Sequence, residues 1–325
     1  MKKLNTTYLG LSLKSPLIVS SSRLTATVES LVDAEKNGAG AVVLKSLFEE
    51  QINYDIIAYP HTSDYPEADD YMSYYIRKNS VAKYLELIQA AKKNLGIPVI
   101  ASINCYSSEG WTGFAREIAE SGADAIEINV FFMPTDRKKS AADSEKLYFE
   151  LIEKLHASVK IPISIKIGYR FSNILYMIDQ FYMRGVKGVV MFNRFYEPDI
   201  DTERMEIVPA SIFSTEKDMR NVLRWVAMAS AQDIKIDISA STGVHSGNDA
   251  VKYLLAGASS VQVCSVLYEK GMSYLNTMNQ QIVEWMDAKG YGSISEFRGK
   301  LNLHNYSKPH IFERTQFMKY FSSAD

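Results

Sequence analysis

The stretches NGAGAVVLK (residues 37–45), SGADAIEIN (121–129), RGVKGVVMF (184–192) and AGASSVQVC (256–264) share one layout. In each, a glycine that can end a helix with positive φ is followed within a few residues by a short β-branched, apolar run. Two other runs open on proline instead, at Ile97-Pro98 and Ile161-Pro162, which suits a strand's first residue because it need not donate to the ladder. The two openings alternate as a degenerate two-strand repeat. Working outward, eight runs read as strands: 16–20, 41–45, 98–103, 125–129, 162–167, 188–192, 235–239 and 260–264. The segments between them read as amphipathic helices; in the first, Val28, Leu31 and Val32 follow the i, i+3, i+4 spacing of one buried face and Gly38 is the stop. Eight strands alternating with helices close a parallel barrel. The expectation is therefore α/β, a (β/α)8 TIM barrel with residues 1–325 as a single domain; a doubly wound open sheet shows a similar pattern.

Two stretches stand outside the repeat. Residues 49–78 carry Tyr54, Tyr59, Tyr65, Tyr71, Tyr74 and Tyr75 among Asp55, Asp64, Glu67, Asp69 and Asp70. A long insertion in a compact domain is functional or disordered, and this aromatic content argues for an ordered cover over the barrel mouth or an oligomer contact. The C-terminal extension 300–325 places Phe312, Phe317, Met318, Tyr320 and Phe321 at roughly helical spacing, which predicts a packed tail.

Composition narrows the function classes. With 36 basic and 38 acidic residues and a net charge of -2, the chain has no footprint of a nucleic-acid or anionic-membrane binder. Cys105 and Cys264 are its two cysteines, too few for a disulfide framework or for a four-thiolate iron–sulfur cluster. No stretch approaches the roughly 20 apolar residues of a membrane span, and the start lacks the pattern of a secretory signal. A cytoplasmic protein acting on a small molecule is expected.

In a barrel of this kind chemistry sits where strands end and βα loops begin. The polar residues at those points are Ser20-Ser21-Ser22, Lys45-Ser46, Asn104-Cys105, Glu127 and Asn129, Lys166, Asn193-Arg194, Ser241-Thr242-Gly243 and Cys264-Ser265. A lysine closing an apolar strand either reaches water or needs an anionic or polar partner at the mouth. Lys45 and Lys166 both close strands, with Asn129 between them in chain order, and together they point to a ligand. The small polar turns after strands seven and eight suit phosphate held by backbone N–H groups.

These residues and their order resemble the class 1 dihydroorotate dehydrogenase family over roughly residues 4–300. The opening LNTTYLGLSLKSPLIVSSS, the segment AGAVVLKS and residues 247–271, GNDAVKYLLAGASSVQVCSVLYEKG, carry the likeness. The resemblance implies FMN as cofactor, with Ser20 and Ser21 lining the flavin, Lys45 and Ser46 touching it from strand two, and Asn129 meeting flavin or substrate. It places Lys166 at the flavin's pyrimidine edge and Asn193 toward the substrate. Thr242, Gly243, Cys264 and Ser265 would hold the phosphate by their amides. It also implies a homodimer and a CH–CH oxidation in pyrimidine biosynthesis.

The chain departs from the family at one chemically decisive place. Where the family has the Cys or Ser that removes a proton from dihydroorotate, Asn129-Val130-Phe131-Phe132-Met133-Pro134 puts Phe132. An aromatic hydrocarbon accepts no proton, and a general base is worth ~100- to 10,000-fold. Cys105 and Asp136 are the nearest substitutes in sequence, Cys105 reading otherwise as a small core residue and Asp136 as a surface turn. His245 reads as a polar turn residue or a proton donor. Two functions therefore stay open: an FMN-dependent oxidoreductase with Lys166, Asn129 and Asn193 around the reacting centre and an unidentified electron acceptor, or a flavin-binding electron-transfer or interaction protein without dehydrogenase activity. A barrel binding a phosphorylated metabolite without flavin is a third.

Overall fold

The computed structural model describes residues 4–48, 66–104, 111–130, 132–194 and 197–314, in 66–78 and at 111 by backbone alone. A hairpin of β1 (Thr6–Tyr8) and β2 (Leu11–Leu13) comes first. Eight parallel strands then form the barrel: β3 (Leu17–Val19), β4 (Ala41–Val43), β6 (Val99–Asn104), β7 (Ala125–Asn129), β8 (Ile163–Ile167), β9 (Gly188–Met191), β12 (Asp237–Ser241) and β13 (Ser260–Val263). The pairing of β13 with β3, β3 with β4 and β4 with β6 closes the ring. The open-sheet alternative is excluded by that closure. A two-residue strand, β5 (Leu47–Phe48), extends the β6 edge above β4.

The outer helices are α1 (Val28–Lys36), α2 (Pro66–Asn94), α3 (Trp111–Glu120), α4 (Ala141–Ser158), α5 (Ile174–Met183), α6 (Met219–Ala229) and α7 (Gly247–Ala256). After β13 come the short α8 (Ser265–Lys270), then α9 (Tyr274–Lys289) and α10 (His310–Glu313). In α1, Thr27 caps the start by accepting from Ser30 N–H, and Leu31 is buried. The glycines that punctuate the sequence do end helices: Gly38, Gly122, Gly185 and Gly257 have φ of 88°, 94°, 87° and 111°.

The period-2 alternation of the strands sorts the apolar residues into two cores. One surrounds the barrel and joins strands to helices through residues such as Val19, Val42, Ile126, Phe181 and Leu254. The other lies inside the barrel at its N-terminal end, where Tyr8, Leu9 and Leu13 of the hairpin cover Ile18, Ala41, Val43, Ile100 and Ala125. Two residues further along β3, β6 and β7 the inward positions turn polar: Ser20, Ser102 and Glu127 are all buried. A barrel this polar in its upper half must satisfy those groups internally.

Two expectations need adjustment, the C-terminal extension is described only in part, and one hairpin is unexpected. Strand seven runs Asp237–Ser241, two residues later than 235–239. That shift keeps the inward parity and brings Ser241 into the sheet. Residues 66–78, read as part of a loop, belong to α2, whose start carries proline at its first position and acids in its first turn, both favourable at a helix N-terminus; the rest of the insertion, 49–65, lies outside the described residues. The C-terminal extension is described to residue 314, where Phe312 packs on the outer core; Phe317, Met318, Tyr320 and Phe321 lie beyond. The hairpin β10 (Pro198–Asp201) and β11 (Glu206–Pro209) after β9 has no counterpart in the expected elements. Among the described residues no helix is long and apolar enough to cross a membrane.

Candidate active site

A cavity of about 550 Å³ opens at the C-terminal ends of the barrel strands, within the range of small-molecule sites. Ser20, Ser21, Lys166, Asn193, Thr242, Gly243, Cys264 and Ser265 all line it. Its outer wall is the segment Pro209–Ser214 that follows β11. Arg194 fastens that wall, donating to Ser211 O at 2.6 Å and to Asp218 Oδ2 at 3.0 Å. Ser214 joins it to the barrel by donating from N and Oγ to Ser265 Oγ.

The floor is a buried polar network. Lys166 Nζ donates to Ser20 Oγ at 3.1 Å and to Gln262 Oε1 at 3.2 Å. Gln262 in turn donates from Nε2 to Glu127 Oε2 at 2.5 Å, and Glu127 Oε1 stands 4.0 Å from the lysine nitrogen. Four strands, β3, β7, β8 and β13, thus contribute to one cluster at the barrel axis. Burial pushes the Glu127 carboxyl up, against the opposing pull of Lys166 and of the Gln262 amide. Burial also pushes the Cys264 thiol up, with Ser22 and Lys166 pulling the other way.

Above the network, Asn193 Nδ2 donates to Asn129 Oδ1 at 2.8 Å, so Asn129 reaches the cavity edge through a cavity-lining residue. Ser46 is buried and bonded to Ser21 Oγ and Ser102 Oγ, at 2.9 and 2.7 Å, and supports Ser21 from behind. Lys45 is exposed just past β4. Cys105 lies outside the described residues.

The loops after β12 and β13 are held in unusual conformations by specific bonds. Thr242 has φ 79° although it is not glycine, a strain of ~1–3 kcal/mol. Its Oγ1 donates to Phe192 O, and its carbonyl accepts from Tyr253 OH at 2.7 Å, which bolts the turn to β9 and α7. Gly243 has φ 75°, and a Cβ there would lie 2.5 Å from Met219 N. Only glycine allows this loop to pack on the start of α6. Among the described residues the amides of Gly243, Cys264 and Ser265 have no protein acceptor.

Phe132 stands apart from the cavity. Its ring packs edge-on against Tyr148 at 5.0 Å, its N–H donates to Tyr148 OH, and Tyr148 meets Phe171 edge-on in turn, at 5.2 Å. These residues line a second hollow between the loops after β7 and β8. Asp136 is exposed, its Oδ1 accepting from Lys138 N. His245 Nδ1 lies 3.6 Å from Glu269 Oε2 and outside the main cavity.

Glu127 and Gln262 join the site although no ligand role for them is expected from the sequence. The signal was present: each is a polar residue flanked on both sides by apolar ones in the middle of a short strand, AIEIN and SVQVC, and a buried polar side chain needs a partner.

A closed parallel barrel with a polar cavity at the C-terminal ends of its strands is the arrangement of barrel enzymes. The chain belongs, within that class, to the dihydroorotate dehydrogenase family, whose model matches residues 3–286, and to its class 1 branch. It is similar to the catalytic subunit of dihydroorotate dehydrogenase B (NAD(+)) of Thermoplasma acidophilum, 26% identical over 305 residues that cover 92% of this chain and 99% of that one. A second relative is dihydroorotate dehydrogenase (fumarate) of Saccharomyces cerevisiae, 24% identical over 315 residues, 92% of this chain and 98% of that one. A third, the dihydroorotate dehydrogenase B (NAD(+)) catalytic subunit of Methanosarcina mazei, is 27% identical over 303 residues, 90% and 93% of the two chains.

Proposed function

We propose that this protein is an FMN-dependent oxidoreductase acting on a CH–CH donor, dihydroorotate or a relative of it, in the cytoplasm and as a homodimer. The observation that carries the reading is the convergence of a buried lysine and a set of unengaged backbone amides on one cavity. The amides of Gly243, Cys264 and Ser265 suit a phosphate, which needs several N–H donors and no side-chain acid. The Lys166 ammonium at the floor suits the edge of a ring that gains negative charge on reduction. Bound here, FMN would supply a two-electron acceptor for hydride leaving the substrate.

The chain's own residues would then divide the work. Ser20 and Ser21 would line the ring with Ser46 supporting them, Lys45 would approach from the rim, and Lys166 would hold positive charge beneath. Asn129 and Asn193, joined by their hydrogen bond, would orient the substrate's polar groups over the cavity. Thr242, Gly243, Cys264 and Ser265 would fix the phosphate. The electron acceptor is a soluble molecule or another protein, since the two cysteines of the chain cannot hold an iron–sulfur cluster.

A specific observation favours a second reading, a flavin-binding electron-transfer or interaction protein. Phe132 stands where the family's base would be, and its ring is committed to Tyr148 rather than to the cavity. One experiment separates the readings: an absorbance spectrum of the purified protein, followed by anaerobic addition of dihydroorotate. A flavin spectrum that bleaches supports the enzyme. A flavin spectrum that persists with dihydroorotate and with related dihydro-acids supports the second reading, and no flavin uptake after reconstitution overturns both.

A further inference from the structure

Glu127 is completely buried, yet only one of its carboxylate oxygens has a hydrogen-bond partner. Oε2 accepts from Gln262; Oε1 is unpartnered, and the cation nearest to it is the Lys166 ammonium at 4.0 Å. Lys166 itself is 7% exposed and bonded to two neutral oxygens, Ser20 Oγ and Gln262 Oε1. Burying an ammonium among neutral oxygens alone is costly, and a nearby carboxylate offsets that cost.

We propose that Glu127 is a positioning residue for the cavity: its carboxylate supplies the counter-charge that keeps Lys166 protonated, and it orients Gln262 so that the amide oxygen faces the ammonium.

The second part follows from donor and acceptor chemistry. An ionised carboxylate only accepts, so it draws the Nε2 end of Gln262 and leaves the Oε1 end for Lys166; the flipped amide would set donor against donor on one side and acceptor against acceptor on the other. The first part follows from the surroundings. Among the described residues, the other titratable groups facing the pair are Tyr8 from β1, Tyr84 from α2 and Cys264 after β13, and burial pushes all three up, so that they stay neutral near pH 7. Among the described residues Glu127 is then the one group facing Lys166 that can carry the opposite charge. What the site offers its ligand is thereby a hydrogen-bonding cation already balanced from below, suited to an electron-rich edge that becomes anionic only during reaction.

The role rests on the cavity and not on the flavin reading, so it is tested in the full-length protein without added flavin. Only a neutral amine is acetylated, and trace acetylation with peptide mass spectrometry across a pH series gives the titration midpoint of Lys166 beside exposed references such as Lys45 and Lys138. Glu127→Gln, equal in size, is expected to lower the Lys166 midpoint so that its labelling near neutral pH rises about tenfold or more, one pH unit being tenfold, with the references unmoved. An unmoved midpoint overturns the proposal, and so does a higher plateau at an unmoved midpoint, the mark of mere loosening. The reciprocal variant reads the pair from the acid's side. Lys166→Met is expected to produce the infrared band of a protonated carboxylic acid at neutral pH, absent from the unsubstituted protein and lost again when Glu127→Gln is added; no such band overturns the proposal. Failure of FMN to bind would remove the flavin assignment and leave both outcomes readable.

Discussion

Asn193 donates to Asn129 across β8, the strand that carries Lys166, because β7 and β9 are not neighbours in the barrel. The bond ties two non-adjacent strands and fixes the amide of Asn129 with its oxygen turned to the cavity-lining Asn193.

That arrangement separates binding from turnover. If these amides orient substrate, Asn193→Ala lowers kcat/KM for the oxidised substrate by roughly tenfold or more, the value of one lost hydrogen bond near 1.4 kcal/mol. FMN affinity, followed by quenching of flavin fluorescence, changes little. Equal loss of both would put the pair on the flavin instead.

Gly243 is the residue of the loop after β12 least open to change. Gly243→Ala combines a strained φ with a clash against the backbone of Met219, and is expected to cost about 1–3 kcal/mol in stability, measured by thermal unfolding. FMN affinity should fall with it, since the loop must shift to accept the methyl group. Unchanged melting would mean that α6 yields without cost.

Much of this architecture was legible in residue order, and the failures have physical reasons. The glycine stops and the β-branched runs report backbone conformation directly, so eight strands could be placed, and the polar residues closing five of them mark the cavity: Ser20, Lys166, Asn193, Ser241 and Cys264 line it. The strand at Asp237–Ser241 was read two residues early because IKIDI alternates as well as DISAS does, and alternation fixes the face, not the end. The β10–β11 hairpin escaped notice because its residues are mostly exposed and carry little hydrophobic pattern. The insertion concealed the start of α2, where a Tyr- and acid-rich composition outweighed the proline at Pro66. Gln262 was passed over because a lone polar residue in a strand shows that a partner exists without showing which strand supplies it.

Asp249 gives a pH prediction. It is buried at the start of α7, and burial alone would raise its carboxyl, but Lys252, Ser246 Oγ and the His245 N–H outweigh that and hold it below the usual aspartate range. A carboxyl depressed in the folded state stabilises the protein above its unfolded pKa, near 4, and the contribution is lost as pH falls through the folded value. Asp249→Asn should therefore lower the melting temperature at pH 7, and the gap to the unsubstituted protein should close as the pH drops below about 4. A gap that stays constant down to acid pH would assign the effect to lost capping geometry at Ser246 rather than to charge.

Phe132→Cys restores the family's residue type without restoring its setting. The side chain at this position packs against Tyr148, so the variant is expected to melt lower through lost aromatic packing, and to oxidise dihydroorotate no faster than the unsubstituted protein. A gain approaching ~100-fold would show that the loop can turn its side chain into the cavity.

The proposed dimer can be tested at the hairpin after β9. Ile200 and Ile207 are direct cross-strand partners on β10 and β11 and are 67% and 74% exposed, with Met205 and Ile212 close by in sequence and also exposed. A two-stranded hairpin is marginal alone in water, and apolar residues gathered at its surface are the kind of patch that a second chain would cover if the proposed dimer forms there. Ile200→Asp together with Ile207→Asp is expected to convert a dimer to a monomer in sedimentation velocity while circular dichroism keeps the barrel signature. Because Pro209–Ser214, the wall of the cavity, continues directly from β11, the same double variant should also bind FMN more weakly. An unsubstituted protein that sediments as a monomer would leave the hairpin without that role, and a variant that stays dimeric would move the interface elsewhere on the barrel.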